Sequence, residues 1–306
     1  MNIIKPNTLS LVSCSVSETD AIDGTVWSSS TTYSTGALVR LNHVSYKSLQ
    51  DNNANKNPAS NYSGDNPYWQ RIGATMPYRM LDDYVETVTE APAGENLVFK
   101  MPFKRADSVA LLNIHGVSAH FKITDALDGT VTLDEEYSLQ DDIEALSLYD
   151  YYFLPITSVD TYVNTNIPIT IDGILEITIR AGGVDSVASV GHVVAGRKQE
   201  IGETKYGAEM GITDYSKKNT DEFGVTTFIK RSYSKNASLS LFIPAYKADK
   251  VANILSGVHS MPILIVGGNV DIGHAALTIF GWIEDWRQVY TGPNENEVRV
   301  EIQGLI

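Results

Sequence analysis

The chain is 306 residues long, with 43% hydrophobic and 20% charged residues and a formal net charge of −14 from 23 Lys and Arg against 37 Asp and Glu. This composition excludes a disordered chain and suits two or three folded domains. The longest strongly apolar run, Met261-Pro-Ile-Leu-Ile-Val266, falls far short of the roughly 18–20 residues of a membrane helix, and no stretch gathers the cations that a nucleic-acid groove needs.

Cys14 is the single cysteine. No internal disulfide, cysteine zinc site or CxxC pair can form, so the fold must hold by burial, which suits folding in a reducing cytoplasm. Leu11-Val-Ser-Cys14 has the form of a lipoprotein cleavage box. Pro6 and Asn7 interrupt that segment, and about four apolar residues cannot supply the roughly 7–15 of a signal-peptide core, so no lipid anchor is expected.

Residues 18–74, rich in Ser, Asn and Tyr and closing at Trp69-Gln-Arg-Ile-Gly73, form a first unit. Trp27, Tyr33, Gly36, Val39, Tyr46, Pro58 and Trp69 punctuate an otherwise polar stretch. In so small a unit they read in two ways: as aromatics pinning a few short strands, or as flat faces stacked on sugar rings with Asn and Asp bonding the hydroxyls. Residues 75–185 form an acidic β unit. Its short runs are Asn96–Pro102, Ser108–His115, Ala119–Thr124 and Gly129–Leu133, broken by turn residues. Asp128-Gly129 predicts a hairpin pairing His120–Thr124 with Val131–Leu133, since glycine accepts positive φ cheaply. Ile167–Ile171 and Gly173–Arg180 read as strands flanking Asp172-Gly173. The second alternates Leu175, Ile177 and Ile179 against Ile174, Glu176 and Thr178, so one face is buried.

Residues 186–306 read as a β-rich unit with one helix near 246–257. There Val251, Ile254, Leu255 and Val258 make one apolar stripe, with Ala248 adding to it, Pro244 before it and Gly257 near its end. Ser238–Ile243, Ile263–Val266, Ala276–Ile283 and Glu297–Gln303 are strands. Val298, Val300 and Ile302 alternate with polar residues, the mark of a half-buried antiparallel strand.

Catalytic signatures are absent: there is no Walker loop, HExxH, GxSxG, or GxGxxG opening a helix. His43, His115, His120, His192, His259 and His274 are scattered without metal-ligand spacing, although strand alternation could bring His115 near His120. Asp51-Asn-Asn-Ala-Asn-Lys-Asn57 has oxygens at alternate places. It lacks the glycine at the sixth place of a calcium loop, and the twelfth is Tyr62. Asp82-Asp83, Asp134–Glu136 and Asp141-Asp142 are carboxylate clusters of the type a glycosidase uses, and in so acidic a chain they read as solvated faces. No cofactor, metal or catalytic residue is assigned.

Trp27-x5-Tyr33-x2-Gly36-x2-Val39, then Tyr46, Pro58 and Tyr68-Trp69, resembles the chitin-binding type 3 carbohydrate module (families 5 and 12) over about 50 residues. The resemblance implies a carbohydrate-binding set of Tyr33, Tyr46 and Trp69. A shallow exposed patch around them favours this assignment; burial of all three removes the platform. The sequence departs from the family at Lys47-Ser-Leu-Gln-Asp51, where exposed tryptophans usually follow the tyrosine.

The rest resembles tailed-bacteriophage virion proteins that carry this module at the N-terminus. The residues are Met76–Asp83, Val109–Ile114, Tyr151–Pro155, Gly196–Gly202, Tyr206–Ile212, Asp214–Lys218, Thr220–Gly224 and Val300–Leu305, with a mild departure at Trp282–Trp286. The resemblance implies a mainly β chain: a small N-terminal carbohydrate-module-like domain (18–74), then two antiparallel β-sandwich-like domains (75–185 and 186–306) with one short helix. It implies a structural, non-enzymatic component of the tail baseplate or tip, assembled in the host cytoplasm. Its partners would be further copies of itself, other tail or baseplate proteins and a host surface polysaccharide. A dedicated glycan-binding receptor-recognition protein is the alternative, and a glycan-cleaving enzyme a remote one.

Overall fold

The computed structural model describes residues 1–140, 159–268 and 275–305. Tyr151–Pro155, Asp141-Asp142 and His274 lie outside the described residues. The protein is mainly β, as its composition predicts.

Strands β1 (Asn2–Pro6) and β2 (Ser13–Cys14) leave the N-terminus for two different sheets. After a single helical turn at Asp20–Asp23 come β3 (Thr25–Val26), β4 (Thr32–Tyr33), β5 (Leu38–Leu41), β6 (Val44–Ser48), β7 (Asn53–Ala54) and β8 (Trp69–Ala74). These build a four-stranded sheet in the order β3-β5-β6-β8, with β4 and β7 as a separate pair. The β5–β6 hairpin turns on Asn42 and His43, both at positive φ (51° and 63°), which is the primed geometry that matches strand twist. Gly24 is at φ 85°, and a Cβ there would lie 2.5 Å from the Leu38 carbonyl carbon. Only glycine lets these backbones approach so closely. Asp23, buried at 1% exposure, accepts from the backbone N–H groups of Met76 and Thr19 and so ties this sheet to the chain that follows it.

Next come β9 (Thr89–Glu90), β10 (Leu97–Phe103), β11 (Ser108–His115), β12 (Ser118–Asp125), β13 (Val131–Ser138), β14 (Thr161–Asn164) and β15 (Gly173–Arg180). β12 and β13 pair across the Asp128-Gly129 turn, with Ile123 opposite Leu133 and Gly129 at φ 75°. β2, β10, β15, β12 and β13 make a five-stranded sheet. Leu175, Ile177 and Ile179 are fully buried on one face of β15, as its period of two predicts. Ile167–Ile171 is not a strand: Pro168 removes a ladder donor, and the segment folds back on Phe103 and Arg105. There Thr170 Oγ1 donates to the Phe103 carbonyl and Arg105 N–H to the Thr170 carbonyl. Ile167 is buried, while Ile169 and Ile171 face water.

The remaining strands are β16 (Ser189–Glu200), β17 (Glu203–Thr204), β18 (Glu209–Asp214), β19 (Lys217–Thr220), β20 (Thr226–Ile229), β21 (Tyr233–Pro244), β22 (Ile263–Val266), β23 (Thr278–Tyr290) and β24 (Glu295–Gly304). An eleven-stranded sheet runs β14-β11-β16-β1-β22-β23-β24-β21-β17, with β9 added on β16 and β18 on β21. It therefore crosses residue 186 and has β1 near its middle.

Half of one face, carried by Val109, Leu111, Val193 and Ala195, packs on the five-stranded sheet through Phe99, Phe103, Phe121 and Ile177. The other half, with Ile3, Leu239, Leu241, Ile265, Val298 and Val300, is covered by the helix Ala248–Gly257. Val251, Leu255 and Val258 of the expected stripe are buried there and Ile254 is half-buried. The opposite face curls on itself and buries Ile4, Leu112, Val194, Leu264 and Phe280.

Candidate functional site

Tyr33 on β4, Tyr46 on β6 and Trp69 on β8 do come together, but inside the module. Their exposures are 8%, 5% and 0%, and with Val39 they are the centre of its core. Tyr33 and Trp69 meet edge to face at 5.4 Å. The Tyr33 hydroxyl accepts from Ser28 N–H (2.8 Å), and Trp69 Nε1–H donates to the Lys56 carbonyl (2.8 Å). The carbohydrate-binding assignment of these three residues is therefore corrected. A unit this small has little else to bury, so its rings are spent on packing and leave no face for a sugar. Tyr62, 44% exposed, is the outward aromatic 6.3 Å from Tyr46, and Lys56 Nζ lies 4.8 Å over the half-buried Tyr68 ring.

Below the module, Glu18 accepts from His43 Nδ1 (2.9 Å) and Thr75 Oγ1 (2.7 Å) and lies 3.4 Å from Arg40 Nε. Burial pushes the Glu18 carboxyl up, but the His43 and Thr75 hydrogen bonds and the neighbouring charges outweigh it. The net shift is below the usual carboxylate range. His43 stacks on Tyr78 at 3.8 Å. This is a cross-linked joint between module and body.

The other histidines are apart from one another. His115 ends β11 in the large sheet, whereas His120 sits on β12 in the five-stranded sheet and bonds Asp134 (2.7 Å). His259 Nδ1–H donates to the Ser256 carbonyl. His192 is buried beside Phe280, ring centroids 4.3 Å apart, with Nδ1 unpartnered. Among the described residues no three His, Cys, Asp or Glu side chains converge as metal ligands would. The two expected carboxylate clusters that fall in the described residues have local partners. Glu136 meets Arg180 and Ser118, and Asp82 accepts from Tyr84 N–H and Thr87 Oγ1, with its carboxyl raised by burial.

A cavity of about 230 Å³ lies under the curl, bounded by Leu112, Asn113, Tyr233, Lys235, Thr278 and Phe280. Thr278 Oγ1 is buried there without a partner.

Exposed apolar side chains also gather on a hairpin that sequence reasoning did not single out as an element. β18 and β21 pair from Glu209–Ser238 to Asp214–Tyr233, and beyond them β19 and β20 form a two-stranded sheet of their own. The core side of β21 carries Ala237, Leu239, Leu241 and Ile243. Its outward continuation carries Tyr233, with Met210 and Ile212 on the matching side of β18. These three are 50%, 45% and 59% exposed. Farther out, Phe223, Val225, Phe228 and Ile229 are exposed as well. The available signal was the alternation Met210, Ile212, followed by the scattered apolar residues Phe223, Val225, Phe228 and Tyr233, diluted by Lys, Thr and Asn between them. No protein-family model and no curated protein matches the chain.

Proposed function

We propose that the protein is a structural subunit of a tailed-bacteriophage tail, at the baseplate or tip, which works by assembling with copies of itself and with other tail proteins. The observation that carries this reading is the apolar surface left in water along the 209–233 hairpin. A monomeric soluble protein rarely keeps such side chains together on one projecting element, whereas an assembly subunit covers them with its neighbour. The motif resemblance over nearly the whole chain points the same way and supplies the tail assignment.

Immunogold electron microscopy of purified phage particles, with antibody raised against residues 1–306, tests it. Gold clustered at the tail end is the expected result; no label on intact or partly disassembled particles overturns the reading. Contact with a host polysaccharide through Tyr33, Tyr46 and Trp69 forms no part of the proposal, because all three are buried.

A further inference from the structure

We propose that residues 215–231 are a clasp that docks on a carboxylate-bearing surface of a second copy of this chain. The inference rests on the assembly reading above and names the partner and the residues that hold it.

The arm is tied to the strand before it where Ser216 N–H donates to Asp214 Oδ1. Beyond that its hydrogen bonds among the described residues are internal: Ser216 with Arg231, Thr220 with Thr226, and Asp221 Oδ1 with the N–H groups of Phe223 and Val225. Tyr215 and Ser232 mark its base, where Gln303 donates to the Tyr215 hydroxyl and Ser232 to Glu86. A lone two-stranded hairpin is marginal in water. This one also exposes Phe223 (91%), Phe228 (71%), Val225 (62%) and Ile229 (49%). Burial of those side chains against another surface stabilises the arm and removes the liability together.

Its charge identifies the surface. The arm gathers Lys217, Lys218, Lys230 and Arg231 against Asp221 and Glu222, an excess of cations in a chain whose net charge is −14. Lys218 Nζ lies over the Phe228 ring at 5.9 Å, so charge and apolar face travel together. The body supplies the complement. On the open face of the large sheet, Glu209 and Glu301 flank Ser238 on neighbouring strands. Nearby Asp285 and Glu297 are held by Arg287, Lys205 and Arg299, while Glu209 and Glu301 pair with no cation among the described residues. A chain that carries both a basic apolar clasp and an acidic face is complementary to its own copies head to tail, the contact type that closes rings.

Sedimentation velocity of the full chain, at concentrations up to roughly 100 μM and at low and high salt, tests this. Two variants run beside the wild type: Lys217→Gln, Lys218→Gln, Lys230→Gln, Arg231→Gln, and the charge-neutral pair Phe223→Ser, Phe228→Ser. All six side chains project from the arm, so circular dichroism and the main thermal transition should match the wild type. The expected result is wild-type self-association that weakens with salt and falls by about tenfold or more in both variants. Association equal to wild type in both variants overturns the clasp and leaves the assembly reading standing. A wild type that stays monomeric overturns the second copy as partner, and self-assembly with it.

Discussion

At the scale of single residues, His192 sets a pH dependence of stability. Burial beside Phe280 lowers its pKa from 6.5 to about 4, against the smaller opposing pull of the Asp83 carboxylate and a hydrogen bond with the Asp82 backbone. Above about pH 6.5 the ring is neutral folded and unfolded, and it costs nothing. Below that the unfolded chain takes up the proton first, so stability falls as pH drops from about 6.5 toward 4 and then levels. The full effect is about 3 kcal/mol. Urea denaturation of wild type and His192→Leu at pH 7.5 and 4.5 reads it: the variant should gain on the wild type by about 2–3 kcal/mol at the lower pH. An equal gap at both values would show that the imidazole is protonated in place. Trp69 makes a second residue-scale test, because a core ring and a sugar platform respond oppositely. As a fully buried core ring, Trp69→Ala should cost about 3–5 kcal/mol and melt the module. Trp69→Phe should keep the packing and lose about 1 kcal/mol with the bond to the Lys56 carbonyl. Differential scanning calorimetry distinguishes them; a stable Trp69→Ala protein would return the ring to the surface.

At the scale of elements, two glycines that both sit at positive φ separate backbone strain from collision. Gly129 (φ 75°) has open space where a Cβ would go, so Gly129→Ala should cost about 1 kcal/mol, the left-handed conformation alone. Gly24 (φ 85°) has the Leu38 backbone at 2.5 Å, so Gly24→Ala must also push β5 aside and should cost clearly more. Urea midpoints of the two variants give the order, and a reversed order would mean that the β3–β5 contact is soft. The contrast also shows what was legible. The Asp128-Gly129 hairpin, the Val251–Leu255 stripe and the alternation in Gly173–Arg180 are local patterns, and each formed where neighbours along the chain predicted it. Ile167–Ile171 has strand-like residues but Pro168 breaks the ladder, and that outcome needs tertiary knowledge of where Phe103 and Arg105 lie. The burial of Tyr33, Tyr46 and Trp69 was one of two readings that the sequence left open. Spacing brings aromatics together, but whether the cluster faces water depends on how much other apolar surface the unit can muster.

At the scale of the whole molecule, β1 decides whether the eleven-stranded sheet behaves as one body. Five residues at the start of the chain pair with β16 on one side and β22 on the other, closing the gap between the sandwich half and the helix-covered half. Ile3 faces the core under the helix and Ile4 the interior of the curl, both fully buried. Nothing in Asn2-Ile-Ile-Lys-Pro6 announces this, since two apolar residues ahead of the Pro6-Asn7 break are too short a run to mark a central strand. The pairing joins residues about 200 apart in sequence, so its loop-closure entropy is offset only when both neighbouring strands are already formed. β1 is therefore the element that couples the halves. Wild type should lose protection in β10–β15 and in β22–β24 together during hydrogen exchange under rising urea. Ile4→Ala, which costs about 2–5 kcal/mol at the junction alone, should let the β22–β24 side open first, at lower denaturant than the sandwich. If the two sets of amides still exchange in step in the variant, the halves are held together by the shared apolar face of the curl. The coupling would then belong to Leu112, Val194 and Phe280 and not to the strand between them.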